Sequence, residues 1–588
     1  MAYYPKLNQR STRQMMTDTF LGYNHLMKIQ DGEWYDTKNL TAMRYPMFSP
    51  RVKRGTLNLQ FTKLQAIIAK NVLYWVDNGT LYANGLPTGL TGLQTTQQTH
   101  LVSMGAYICV FPDKKYINTM DLGDYGDMGS DLTLRQVNVT YSMCHADGTI
   151  YENVSKSDTE PTSPTNGAVW IDTTDGNVKE YSEYSGLWTI IETVYTRVDF
   201  NNTAASAGFM ETYFKELDGV QITGLHFDDL NGSKILYALG VEDSKDYFVI
   251  IGIQDTPYTE TVAEITIKRV IPDLDFVCEA QNRLWGCKYG NLGPGQGNVN
   301  ELYCCALGDF RNWEQYLGIS TDSWRASCGS DGKWTGCINY LGTPTFFKEN
   351  IIHQISISSV GAHQVGDLPA RGVQDGSHDS LSVVNETLYY KSRSGIMAYQ
   401  GGMPADVGAA LGEERYYDAV AGSFGDRYYI SMKDAGDVWH FFCYDVKKGL
   451  WMHEDNLHAE CFTRWGDELY AQAQNRILAL NGTDGTPENN FDWYAETGIQ
   501  YYSYPDKKYV SRYNFRLNVP QDANMQIYIE YDSSGLWTFA GNVKLPHTGT
   551  VTIPVRPRRC DHMRLRLEGR GEILIYSITR VLERGSDV

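Results

Sequence analysis

The chain has 588 residues, too many for a single hydrophobic core, so two to four domains are expected. With 51 Lys and Arg against 70 Asp and Glu, its formal charge is −19. That excludes a protein gripping nucleic acid through its phosphates, while allowing an acidic passage along which DNA slides. Aromatic residues make up 13% of the chain, which excludes disorder and suits pleated sheets.

The first 14 residues, MAYYPKLNQRSTRQ, lack the apolar run of a signal peptide, and no 18-residue apolar run follows. No membrane span is expected, and folding is expected in the cytoplasm. Eleven cysteines, an odd number, fit that compartment as reduced, buried residues. Cys278/Cys287 and Cys328/Cys337 share a spacing, but no CxxC-like knuckle accompanies them. They read as small core residues rather than zinc ligands.

Residues 1–53 read as an extended N-terminal arm. Pro46 and Pro50, four apart, forbid a helix, while Trp34, Tyr45 and Phe48 call for burial. Such an arm would either add the closing strand to a propeller or lie along a neighbouring subunit, and with Arg51 these three are candidate assembly contacts.

From Gly55 the pattern is strand, turn, strand. Hairpins recur at Asn71–Gly85, Ser380–Gly402 and Asp467–Gly482: an acidic or amide residue precedes Leu-Tyr, then come a turn and an apolar strand ending at Gly. A hairpin repeated along one chain implies one small sheet repeated, which is how a β-propeller is built. Residues 54–154 and 195–484 are assigned to that propeller. Six to eight blades fit the spacing, with seven as the central count.

The loop Asp121–Asp131 places carboxylates at Asp121, Asp124, Asp127 and Asp131. Carboxylates on a Gly-rich loop are candidate calcium ligands, although the spacing is not that of an EF-hand and a solvated turn explains them as well. Residues 155–194 open with a Ser/Thr/Pro linker and continue as a three-stranded meander carrying Trp170, Tyr181, Tyr184 and Trp188. They read as a small inserted β-module whose aromatics fill its own core, with sugar stacking as the alternative. Residues 493–588 alternate with period two, the mark of an antiparallel β-sandwich. Arg556, Arg558 and Arg559 there are further candidate assembly contacts. The fold class is therefore all-β: a propeller, an arm, an inserted module and a sandwich.

No GxxxxGK[ST], HExxH or GxSxG motif is present, and the glycines at 293–297 lead into no helix that would receive phosphate. The 12 histidines show no ligand spacing. No cofactor, metal centre or catalytic residue is therefore expected, and the chain reads as a non-enzyme. Paired carboxylates for glycoside hydrolysis remain open, because their pairing is spatial. Sialidase-like SxDxGxxW turns are approached at Ser330–Trp334 and Asp532–Trp537, where ordinary turns precede a Trp.

Several segments together resemble β-propeller tail proteins of tailed bacteriophages, those forming the hub, nozzle or "stabilisation" ring of short-tailed phages. The resembling residues are Asn39–Arg51, Asn282–Cys287, Glu301–Asn312, Lys348-Glu349, Ser380–Gly402, Tyr444–Trp451, Val555–Glu568 and Ile575–Glu583. The resemblance implies a structural virion protein, made in host cytoplasm and forming a symmetric ring, commonly a hexamer. Genomic DNA would pass through its lumen without specific binding, and portal-side adaptors, fibres or a spike would attach to it. The alternative expectation is a glycan-binding or glycan-cleaving receptor protein of a phage or bacterium, acting through the Trp170/Trp188 module or a propeller face.

Overall fold

The computed structural model describes residues 12–201, 207–292, 297–358, 361–503, 507–544 and 546–584. The start of the expected arm and most of the glycine loop at 293–297 lie outside these residues. The protein is all-β, with 54% of its residues in strands and 3% in helix.

Seven sheets among the described residues follow one plan, an antiparallel meander in which each strand pairs with the next; six have four strands, and in the seventh a three-strand meander is extended by Gly55–Thr56 and Thr486–Pro487. They begin at Leu64–Ala69, His100–Met104, Phe276–Ala280, Gly336–Tyr340, Ser382–Val384, Tyr416–Phe424 and Cys461–Trp465. The recurring Leu-Tyr segments of the sequence are second strands of these sheets: Leu73–Asp77, Thr387–Ser392 and Glu468–Gln472. These strands are buried along their whole length, as expected of apolar strands covered on both faces. The hairpin after Leu73–Asp77 turns on Asn78 and Gly79, both at positive φ (45° and 77°), the backbone of a type I′ turn.

First strands of successive sheets touch one another at every junction but that of the fourth and fifth, and that of the seventh sheet touches that of the first. The fourth and fifth sheets meet through the short 3₁₀ turn His378–Ser380 and a shared core containing Tyr340, Phe347, Tyr390 and Tyr399. The seventh sheet takes its fourth strand from the opposite end of the chain: Gly55–Thr56 pairs with Leu478 and Ala479. Gly55 leaves no room for a side chain, since a Cβ there would lie 1.7 Å from the Asp484 carbonyl oxygen. The early segment 55–56 thus ties the first sheet's lead-in to the last sheet.

Between the second and third of these sheets, residues 130–269 form a separate seven-stranded sheet, which corrects the sequence assignment of its strands to the repeat series. Ser130–Cys144 and Tyr258–Arg269 pair along almost their full length at its centre, and the edge strands are Gly232–Ile235 and Ala238–Glu242. Its core includes Tyr141, Phe200 and Phe248, all fully buried. The small module is inserted in this sheet, and its three-stranded meander gains a fourth, parallel strand, Val154–Ser157. Val169, Ile171 and Val178 of the module pack against Met143 of the larger sheet.

The last sheets form two layers. One comprises Thr12–Thr17, Leu574–Arg584, Lys508–Val519 and His547–Pro554; the other comprises Asp36–Lys38, Asp492–Glu496, Met563–Arg570, Asn524–Tyr531 and Trp537–Val543. Each layer therefore contains a strand from the N-terminal region. The described part of the expected arm is built into its own chain, which corrects the assignment of Trp34, Phe48 and Arg51 to contacts with a neighbouring subunit. Trp34 and Phe48 are 3% exposed, and they join Phe20 and Trp493 in an aromatic cluster with Phe48 edge-on to Trp493 at 5.5 Å. The cause is the demand for burial that marked these residues as contacts; the chain meets it internally.

Two arginines fasten the N-terminal region to the sixth sheet. Arg54 donates to Glu454 at 2.8 Å and to Asp455 at 2.6 Å, with all three side chains largely buried. Arg51 forks onto Glu488, donates through Nε to Asn39 at 2.8 Å, and lies 3.7 Å from Asp455.

Candidate functional site

A central cavity of about 830 Å³ is lined by segments from all seven sheets. The segments are 65–68, 99–102, 273–277, 337–338, 378–381, 420–421 and 460–463. Each belongs to the first strand of its sheet or to the turn leading into it, so the meander plan itself delivers these residues to the centre.

The cavity is polar and acidic. Asp273 and Asp275 line it from one segment and Asp379 and Glu460 from two others, together with Gln65, Gln97 and Gln98. Two lysines balance part of the charge: Lys114 pairs with Asp273 at 2.5 Å and Lys288 with Asp275 at 2.7 Å. Glu460 accepts a hydrogen bond from Gln472 Nε2 at 2.9 Å. Phe111, Phe276 and Phe462 supply apolar surface among these groups. Carboxylates that accept hydroxyl protons, amides that do both, and ring faces are the donor set that binds a polyhydroxyl ligand, and spaced carboxylates are the equipment of glycoside hydrolysis.

On one wall, His100, His378 and Asp379 come together, with one ligand atom from each lying within 4.8 Å of the others. His100 opens the first strand of the second sheet, and His378 and Asp379 sit on the 3₁₀ turn before the fifth. The two imidazoles meet edge-on with centroids 5.0 Å apart, and Phe276 packs on His378 at 4.9 Å. Burial holds the His100 imidazole below its ordinary pKa, against the pull of nearby Asp379. No spacing in the sequence could reveal this cluster, because His100 and His378 stand 278 positions apart.

A second polar chain has the connectivity of a catalytic triad. His353 lies 3.0 Å from Ser330 Oγ through Nε2 and 2.6 Å from Asp367 Oδ1 through Nδ1. The His353 side chain is 1% exposed, beneath Trp334 at 5.1 Å between ring centroids. A substrate cannot reach that imidazole, so the chain serves to pin the 330 loop onto the third and fourth strands of the fourth sheet. Lys391 lines a second cavity of about 490 Å³, and burial lowers its pKa to about 8.

The other sequence candidates do not assemble into sites. Asp121 accepts from Gly123 N at 3.0 Å, Asp124 from Asn118 at 3.1 Å, Asp127 pairs with Lys115 at 2.7 Å, and Asp131 with Lys268 at 2.8 Å. Each carboxylate has its own partner, and the four do not converge on a shared calcium position. Of the assembly candidates, Trp34, Phe48 and Arg51 are buried within the chain, whereas Tyr45 is 40% exposed. Arg556, Arg558 and Arg559 are exposed, with Arg558 over the Tyr531 ring at 4.9 Å. In the inserted module, Trp170 is buried and meets Trp188 edge-on at 5.6 Å, while Lys179 covers the Trp170 ring at 4.6 Å. These two rings pack on each other, while Tyr184 of the same module is fully exposed. All 11 cysteines are free thiols, and Cys278, Cys287, Cys304, Cys328 and Cys337 share one apolar cluster. Among the described residues no helix is long and apolar enough to cross a membrane.

No family model matches this sequence, and no curated protein matches it. Among solved structures, the chain is similar to an exo-β-1,3-galactanase from Phanerochaete chrysosporium, with a TM-score of 0.22, 9% identity, and coverage of 52% of this chain and 94% of that one. It is also similar to a glycoside hydrolase, with a TM-score of 0.21, 11% identity, and coverage of 51% and 96%. A third is the phage phi92 endosialidase, with a TM-score of 0.19, 10% identity, and coverage of 91% and 75%. The expectation of a non-enzyme is corrected at this point. It rested on missing sequence motifs, and a pairing of carboxylates needs no motif: the fold gathers Asp273, Asp275, Asp379 and Glu460 around one cavity.

Proposed function

We propose that the seven meander sheets are the blades of a closed β-propeller and that the chain is a glycan-binding and glycan-cleaving protein acting through its central cavity. The observation that carries this reading is the cavity itself. It is about 830 Å³, within the range of small-ligand sites, with all seven sheets contributing to its wall and four carboxylates facing it. Binding on a glycan array, followed by measurement of reducing ends released from each bound glycan, tests the proposal. Asp275→Asn and Glu460→Gln variants of the full chain should lose glycan binding, turnover or both. If no glycan binds, or if both variants behave as the unmodified chain does, the reading is wrong.

A second reading, a ring-forming tail protein of a bacteriophage, is favoured by a different observation. Leu307, Tyr316 and Ile319 are 47%, 49% and 54% exposed on the 305–323 segment of the third sheet, the segment that also touches the inserted seven-stranded sheet. Such apolar surface is what a neighbouring copy would cover. In that reading the DNA passage lies between subunits, because the cavity within one chain is of oligosaccharide size. Mass measurement of the purified protein in solution separates the readings: a closed oligomer supports the ring, and a monomer with glycan affinity supports the receptor.

A further inference from the structure

We propose that His100, His378 and Asp379 form a divalent transition-metal site of the zinc class in the wall of the central cavity. The donor set is two imidazoles and one carboxylate, the combination that suits zinc and its neighbours, and it offers three protein ligands with a fourth position facing the cavity. Donor atoms on a tetrahedral zinc ion stand about 3.3 Å apart, given metal–ligand distances of about 2.0–2.1 Å. His378 Nε2 and Asp379 Oδ2 already stand 3.2 Å apart. With all three donor atoms within 4.8 Å, His100 needs only a small movement to complete the set.

Two further observations point to a ligand rather than to a self-sufficient cluster. His378 Nε2 is buried, and its approach to Asp379 lacks hydrogen-bond geometry, so the atom has no hydrogen-bond partner. An orphaned buried nitrogen is costly, and coordination removes that cost. In addition, Gln98 Nε2 donates to Asp379 Oδ2 at 2.9 Å, the kind of outer contact that orients a ligating carboxylate. The cavity's other charges are committed elsewhere: Lys114 and Lys288 hold Asp273 and Asp275. Asp379 and Glu460 are then the cavity carboxylates without a lysine partner, and Asp379 is the one that stands with two imidazoles.

The proposal is independent of any glycan activity, and its test contains no glycan. The full chain, treated with a chelator and desalted, is titrated with zinc by calorimetry and with cobalt(II) by visible absorption. The expected result is one metal per chain, with the intense ligand-field bands of a four-coordinate cobalt site. His100→Ala, His378→Gln and Asp379→Asn should each weaken zinc binding by at least about tenfold, and Gln98→Ala by a smaller factor. Circular dichroism and thermal midpoints in chelator, matching those of the unmodified chain, certify that the variants are folded. The proposal is overturned if the unmodified chain shows no stoichiometric binding, or if folded His100→Ala and His378→Gln variants bind zinc as tightly as it does.

Discussion

Arg54→Ala probes the fastening of the closing strand most sharply. Arg54 precedes Gly55–Thr56 and forms short ion pairs with Glu454 and Asp455, whose side chains are 8% and 16% exposed. Deleting one member of a buried ionic group leaves its partners charged and desolvated, at a cost of about 3–5 kcal/mol. Arg51 remains 3.7 Å from Asp455 and offsets part of this, so the lower end, about 3 kcal/mol at pH 7, is expected. The effect depends on pH with a definite sign. Burial opposes the charge on Asp455, but Arg54 and Arg51 together hold its carboxyl below the ordinary range. A depressed carboxylate contributes stability at pH values above its unfolded pKa of about 3.9, and that contribution is lost as pH falls through the folded value. The gap between the unmodified chain and Arg54→Ala should therefore be full at pH 7 and narrow below about pH 4. Urea unfolding followed by tryptophan fluorescence at both pH values measures it. A gap under about 1 kcal/mol at pH 7, or one unchanged in acid, refutes the reasoning.

Three other expectations concern separate parts of the molecule. Trp34→Ala should cost about 3–5 kcal/mol, because it empties a ring site packed by Phe20 and Phe48, and it should leave the oligomeric mass unchanged. A stable variant with altered mass would restore Trp34 as a contact between subunits. Iodoacetamide at pH 8, read by mass spectrometry, should spare the eight buried thiols and label the three partly buried ones, Cys328, Cys337 and Cys461, slowly, since desolvation raises all three, Cys328 to about 11 and Cys461 to about 12. Rapid labelling of Cys278 or Cys304 would contradict the packing described. Desolvation lowers Lys391 to about 8, so the folded chain binds its proton less tightly than the unfolded chain does. Stability relative to Lys391→Met should accordingly rise between about pH 8 and pH 10.4, and a fall across that window would refute the assignment.

The repeated sheet was legible because its signal is local. The Leu-Tyr strand, its turn and the following apolar strand lie within about a dozen residues, so Leu73, Leu388 and Leu469 revealed their common role. The sheet at 130–269 was not legible as a separate body. Its central strands, Ser130–Cys144 and Tyr258–Arg269, carry the same apolar pattern as the repeated sheets, and their partnership crosses more than a hundred residues. The N-terminal region misled for a related reason. Trp34 and Phe48 advertised a need for burial without saying which surface would cover them, and the answer, Trp493, stands at the other end of the chain. The cavity was the least legible feature, because seven segments drawn from residues 65 to 463 supply its wall. Residue type did carry part of that information, since His and Asp beside each other at 378–379 are a ready pair of ligands, but only the fold brings His100 to them.

The most direct test of the account is hydrogen exchange of the full chain, read by mass spectrometry, with and without an oligosaccharide selected on the array. The account predicts added protection in the segments that line the cavity, 65–68, 99–102, 273–277, 378–381 and 460–463, contributed by five separate sheets to one ligand. Protection confined to an outer surface such as 305–323, or no oligosaccharide-dependent protection anywhere, would contradict it.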